Sequence, residues 1–243
     1  VSSDGRRALW SCPCQDAQIA AEDQARIAQD AAYRQAQAER VLGDTGLRLI
    51  EDLTWETLDV TKNQIARPLE QIQRWFAQAL AYGSQASYRD PESPPAAIWV
   101  YSDGKGRGKT HLAAGAFHAA RQAQKLACFI EENSYLRRRW GCDFEEVEQV
   151  VNLPADRAWL TVIDDLGRRQ GMKNMQAVAN VWFEVFNQRW LKRGWTVVTS
   201  NYTPEQLFDL GTLDDATYSR VRQMTRGYLV RCTGDDYRLE VSP

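Results

Sequence analysis

The segment that most narrows what this chain can become is Ile98-Trp99-Val100-Tyr101 followed by Asp103-Gly104-Lys105-Gly106-Arg107-Gly108-Lys109-Thr110. The apolar run reads as a short buried strand. The glycines permit a tight backbone curl, and residues 110 to about 125 read as a helix. A strand, a glycine loop and a helix in that order form a phosphate-binding element. Loop N–H groups and the positive helix end converge on one point. The pattern G-x-x-x-x-G-K-[ST] is met except at its first position, where Asp103 stands in place of glycine. A side chain there is tolerated if it points away from the phosphates, but a carboxylate at this position is expected to weaken binding. Lys109 is expected to reach the β and γ phosphates of a nucleotide, and Thr110 to offer its hydroxyl to Mg²⁺. The nucleotide-contacting set is Gly104, Lys105, Gly106, Arg107, Gly108, Lys109, Thr110 and His111.

The sequence after this unit alternates. Further strands are expected at 127–130, 160–163 and 195–199, with helices near 133–140, 144–151 and 177–191. Such alternation implies an α/β fold with a central parallel sheet flanked by helices. No internal repeat is visible.

Leu160-Thr161-Val162-Ile163 ends in Asp164-Asp165, and a parallel strand delivers its C-terminal end to the ligand crevice. Asp164 is expected to hold Mg²⁺ through its water shell. Asp165 stands where a carboxylate can polarise an attacking water. Alone, two aspartates would simply begin a turn; downstream of a phosphate loop they read as a metal site. The strand at 195–199 leads into Ser200-Asn201, whose amide can orient water near the γ-phosphate, although a strand-ending Asn is also an ordinary helix cap. In Tyr218-Ser219-Arg220-Val221-Arg222, Arg220 can stabilise charge on a transferring phosphoryl group from a neighbouring subunit, with Arg222 as runner-up. Arg238, in Asp236-Tyr237-Arg238, is a further candidate cation. Taken singly, each arginine reads as a solvated surface residue.

Together these segments resemble the AAA+ family of bacterial and phage helicase loaders, the DnaC/DnaI type, which includes the IstB transposition ATPases. The residues that carry the resemblance are GKGRGKTHLAAG (104–115), VIDDLG (162–167), TSNYTPEQL (199–207), YSRVRQM (218–224) and DYR (236–238). The resemblance covers roughly residue 53 to the end. It implies ATP hydrolysis, with Lys109 and Thr110 as Walker A, Asp164 and Asp165 as Walker B, Asn201 as sensor 1, Arg220 as arginine finger and Arg238 as sensor 2. It also implies homo-oligomers, helical or ring-shaped, with ATP at subunit interfaces. The implied partners are a hexameric replicative helicase and single-stranded DNA, or else a transposase and target DNA.

Three parts are expected along the chain: an N-terminal segment at 1–46, a linker with a lead-in helix at 47–95, and the ATPase core at 96–243. Residues 17–40 are rich in Ala, Gln, Glu and Arg and read as a long, mostly exposed helix, either a solvated arm or a partner-binding element. In the second part Leu69, Ile72, Trp75, Phe76, Ala79 and Leu80 recur at helical spacing after Pro68 and read as core. Cys12-Pro13-Cys14 places two thiols close together, but Zn²⁺ wants four ligands. Relatives of the resembling family open with Cys-x-x-Cys, Gly-Trp and Cys-x-Cys, and the first residues here look like the second half of that module. Zinc at Cys12 and Cys14, and a natural start upstream of Val1, are expectations on that ground.

Net charge is −2, from 30 basic and 32 acidic side chains, which argues against a general nucleic-acid coat but permits a local basic patch. Arg137, Arg138 and Arg139, between Tyr135 and Trp140, are the candidate patch for single-stranded DNA on a segment that faces the channel in the resembling family. Asp143, Glu145, Glu146 and Glu148 offer the competing explanation, internal pairing. No run of about 18 apolar residues is present, so no membrane span is expected. Five cysteines, three of them scattered singly, suit a reducing cytoplasm. Three functions follow: a helicase-loading ATPase, which the polar N-terminus favours; a transposition helper, expected to carry a more basic N-terminus; and an ATP-binding adaptor that does not hydrolyse, supported only by Asp103. Too few residues follow Arg238 for the helix-turn-helix domain of a replication initiator.

Overall fold

A computed structural model describes residues 13–62, 64–168 and 175–236, apart from the side chains of residues 13–16 and Phe144. Cys12 and Arg238 lie outside the described residues, as does the side chain of Cys14. Five strands form one sheet: β1 (Ala97–Tyr101), β2 (Ala127–Glu131), β3 (Leu160–Leu166), β4 (Trp195–Ser200) and β5 (Leu229–Arg231). Every pairing is parallel and the order is β2-β3-β4-β1-β5. Continuous burial along β1, β2 and β4 means that both sheet faces are covered, as the unbroken apolar runs required.

Helices connect the strands. They are α1 (Pro13–Leu42), α2 (Ala66–Tyr82), α3 (Lys109–Gln122), α4 (Glu132–Gly141), α5 (Phe144–Asn152), α6 (Met175–Lys192), α7 (Pro204–Asp209) and α8 (Asp215–Thr225). The chain leaves β1 through α3 and returns at β2, three positions away, so the order reverses beside β1. The C-terminal ends of β3, β4 and β1 therefore stand side by side at the crevice where α/β folds take ligands.

α1 is mostly exposed, but its last turns dock through Gln35, Ala38 and Leu42. The docking closes the free edge of β2. The Gln35 amide accepts from the Ala127 N–H at 3.1 Å and donates to the Ala127 carbonyl at 3.0 Å. Thr45 then donates its hydroxyl to the Phe129 carbonyl and accepts the Glu131 N–H at its own carbonyl, each at 2.8 Å. An edge strand that would otherwise invite another chain is thus satisfied from within.

In α2, Ile72, Trp75, Phe76 and Ala79 are buried as their spacing requires. Leu80 departs from the expectation: it is exposed, because the buried stripe on this helix is narrower than the apolar run. The helix also begins two residues before Pro68. No helix among the described residues is long and apolar enough to cross a membrane.

Candidate nucleotide site

The loop after β1 carries positive φ at Gly106 (67°) and Gly108 (80°), conformations that favour glycine. Gly106 also has no room for a side chain, since a Cβ there would lie 1.6 Å from Asp236 Oδ1. The last described residue thus lies against the phosphate loop, and Arg238 follows two positions on. Asp103, at the position where the pattern has glycine, is not among the positive-φ residues. Its carboxylate pairs with Arg231 on the edge strand β5, in a contact more than half exposed on both sides.

Lys109 is buried and its ammonium makes three bonds: to Ser102 Oγ at 2.7 Å, to the Gly104 carbonyl at 2.9 Å and to Asn201 Oδ1 at 2.9 Å. Burial lowers its pKa, while the nearby Cys232, Asp165 and Asp164 oppose that shift. Thr110 Oγ1 donates toward Asp164, 3.0 and 3.1 Å from its two oxygens. Thr199 Oγ1 donates to Asp164 Oδ1 at 2.6 Å and accepts the Asp165 N–H at 2.9 Å. The loop, the acidic strand end and the polar strand end thus form one hydrogen-bonded cluster. Desolvation pushes the Asp164 carboxyl up to about 6; the Thr199 bond opposes that and the charge of Asp165 adds to it.

The donor set fits Mg²⁺. A hydroxyl and a buried carboxylate are hard oxygen donors, and this ion takes one or two carboxylates and completes its shell with water and phosphate. Accordingly, a larger acidic or imidazole cluster is not needed, and none of three or more metal-binding side chains occurs among the described residues.

Asp165 takes a left-handed conformation, φ 57°, where the register between β3 and β4 shifts from Ile163 to Leu166. Such a bulge re-aims the side chain, and Asp tolerates this region better than most residues. On the other flank, His111 Nε2 lies 2.7 Å from the Thr54 carbonyl and 3.1 Å from Thr57 Oγ1, and burial lowers its pKa. His111, Arg107 and Gly108 line a cavity of about 80 Å³ together with Leu58, Asp59, Lys62 and Ile65. Lys105 is exposed, and Arg107 folds over Gly104.

The candidate arginines lie elsewhere. Arg220 stacks over Phe183 and Trp190, 5.2 and 5.4 Å from their ring centres, and bonds the Ala216 carbonyl at 2.8 Å. Arg222 is exposed beside Tyr218. Arg138 pairs with Glu146 at 3.0 Å and bonds the Val41 carbonyl, while Arg139 pairs with Glu184 at 3.2 Å. Arg137 is exposed, with a 3.2 Å bond to Ser134 Oγ within its own helix. Tyr135 is fully buried and offers no stacking face; Trp140 is 46% exposed and does.

Sequence reasoning passed over Ser102, Thr199 and the cavity residues Leu58 and Ile65. Ser102 and Thr199 sit inside the quoted strand ends, but nothing in their spacing says which hydroxyl turns inward. The cavity residues come from a linker with no motif of its own.

A phosphate loop after a central strand, a paired acidic end on the strand two places away and a polar end on the strand between them give the chain the fold of the AAA+ P-loop proteins. Comparison with solved structures gives the same fold. Similar structures include DnaI (TM-score 0.54, 15% identity, 78% of this chain and 92% of that one). They also include the replication initiator DnaA bound to AMPPCP and single-stranded DNA (0.53, 19%, 70% and 47%). A third is a putative primosome component from Streptococcus pyogenes (0.52, 19%, 74% and 86%). This chain spans about half the length of the DnaA structures it matches. No protein-family model and no curated protein matches it.

Proposed function

We propose that the protein is an ATPase that loads a replicative helicase, binding ATP and Mg²⁺ at the cluster around Lys109. The observation that carries this is the pairing of adjacent Lys109 and Thr110 with two neighbouring strand ends, Lys109 with Asn201 and Thr110 with Asp164. Lys109 and the loop N–H groups take the β and γ phosphates, and Thr110 and Asp164 hold the metal. Asn201 and Asp165 stand where an attacking water is oriented and polarised. The cavity between Ile65, Leu58 and His111 adjoins the phosphate loop and is the place proposed for part of the nucleoside. Zinc at Cys12 and Cys14 rests on the sequence alone.

The helicase and single-stranded DNA are the proposed partners, and ATP is shared between copies of this chain, with Arg220 reaching the neighbour's phosphates. Arg137 and Trp140 are the exposed pair that a nucleic-acid strand would meet. Support comes from the shared fold with DnaI and with a DnaA that holds both a nucleotide analogue and single-stranded DNA. The non-hydrolysing adaptor is the less favoured reading, since Asp103, the feature that supports it, pairs with Arg231.

The test is nucleotide titration with and without Mg²⁺, followed by capture from host lysate with ATP present. ATP affinity lost in Lys109→Ala, with a hexameric helicase captured, is the expected result. Binding unchanged in Lys109→Ala sinks the nucleotide site, and capture of a transposase in place of a helicase moves the protein to the transposition helpers.

A further inference from the structure

Asp165 is not free at the mouth of the site. Arg168 Nη1 lies 3.3 Å from Asp165 Oδ2 and 3.6 Å from Glu131 Oε1. Arg168 is itself stationed by the fold. Its backbone N–H donates to Glu132 Oε2 at 2.7 Å, and the other oxygen of that fully buried carboxylate accepts the Trp182 indole N–H at 3.1 Å. A buried carboxylate tied to α6 thus fixes the backbone from which the guanidinium spans the ends of β2 and β3. Glu131 is equally fixed, since its other oxygen caps α4 at the Ser134 N–H, 2.9 Å away.

We propose that Arg168 is a positioning residue that restrains turnover: it draws the Asp165 carboxylate toward Glu131 and occupies one of the oxygens needed to polarise water. The inference rests on the role given to Asp165 under the proposed function. A general base works through a lone pair aimed at the proton it takes. A charge-assisted bond to a guanidinium fixes that lone pair elsewhere. Because the Arg168 side chain is 59% exposed, the pair is solvent-screened and the restraint is modest and releasable.

The experiment is steady-state ATP hydrolysis by the full chain and its Arg168→Ala, Arg168→Lys and Asp165→Asn variants. Arg168→Ala should raise kcat up to about fivefold, the range a screened pair allows, with KM and nucleotide Kd unchanged. Its backbone bond to Glu132 survives the substitution, so the melting temperature should stay at the parent value. Arg168→Lys, which keeps the cation, should return kcat toward the parent. Unchanged or lowered kcat in Arg168→Ala, with Asp165→Asn inactive, overturns this inference alone. An equal rise in Arg168→Lys also overturns it, because charge would then not be the cause. Full turnover in Asp165→Asn overturns the role of Asp165 and this inference with it.

Discussion

Lys109 Nζ donates to Asn201 Oδ1 across 2.9 Å, joining the phosphate loop to the end of β4. The remaining ammonium protons go to Ser102 and Gly104, so every donor is satisfied within the chain. An arriving nucleotide must take over these bonds, and moving Lys109 onto phosphate releases the Asn201 amide. On the proposed function, nucleotide binding and the proposed water-orienting amide are therefore mechanically linked. Lys109→Ala should abolish measurable ATP binding, a loss of several kcal/mol in a water-poor site. Asn201→Ala should lower kcat by about 10²-fold while Kd for ATP changes little, the pattern of a group used only in the transition state. Parallel loss of affinity and rate in Asn201→Ala would show that the amide serves binding instead.

Asp164 sets a pH dependence whose sign follows from its burial. Its carboxyl is raised from 3.8 to about 6 by desolvation, so the folded protein holds this proton more tightly than the unfolded chain. The associated stability is fully present below the unfolded value and is lost as pH rises through about 6. At pH 7.5 without nucleotide the ionised, buried carboxylate is a liability. Asp164→Asn keeps an acceptor for Thr199 and Thr110 and removes the charge. It should stabilise the protein by about 1–3 kcal/mol there, with the gain fading toward pH 4. Mg²⁺-dependent nucleotide binding should show the opposite trend in the parent, weakening as pH falls through about 6. Equal denaturant midpoints for parent and Asp164→Asn at pH 7.5 would mean that the carboxylate is relieved by a partner other than the metal.

Asp103 invites a simple check. The carboxylate faces Arg231 at the sheet edge in a contact exposed to solvent, and such screened pairs contribute little. Asp103→Gly restores the common pattern and should change ATP affinity by less than about threefold. A tenfold tightening by calorimetry would show that Asp103 opposes the phosphates after all.

The strands of the core and the glycine loop after β1 were legible because burial and backbone geometry dictate residue type directly. Ile98–Tyr101 had to be apolar, and Gly106 and Gly108 had to be glycine. The edge strand β5 was not legible: its three residues, Leu229–Arg231, carry no period to detect. Arg138 and Arg139 looked like a nucleic-acid patch, since a run of three guanidiniums reads the same whether its partners are phosphates or carboxylates. The partner acid Glu184 is far off in sequence and reachable only once α6 packs near α4. The ion pair between Arg168 and Glu131 is hidden for the same reason.

Arg189 gives a stability test remote from the site. It is fully buried, makes no ion pair with a carboxylate among the described residues, and donates to the carbonyls of Ala158, Trp159 and Trp195 and to Thr196 Oγ1. Gly194 makes room for it, since a Cβ there would lie 2.3 Å from Arg189 Cζ. Arg189→Met removes the donors and strands buried carbonyls near the starts of β3 and β4. The expected cost is about 2–4 kcal/mol, read from denaturant unfolding. A loss under about 0.5 kcal/mol would mean that water takes over those carbonyls.

Arg220 tests whether the site is shared between chains. Its guanidinium rests on Phe183 and Trp190 of α6, and among the described residues Lys109, Asp164 and Asn201 bond to other partners. A cation stacked in this way is pre-positioned on a rigid surface with part of its donor edge unspent, which is what a neighbour's phosphate requires. Arg220→Ala should therefore leave ATP affinity of the isolated chain unchanged and reduce kcat by about 10³-fold, the effect seen when such a finger is withheld. Mixing inactive Arg220→Ala with inactive Lys109→Ala should regain activity. One interface in the mixture then combines an intact loop from one chain with an intact arginine from the other. The regained rate should peak near equal proportions and vanish on dilution below the assembly concentration. Absence of recovery at every ratio, with both variants assembling, would place the whole site within one chain and leave Arg220 a structural stack between α6 and α8.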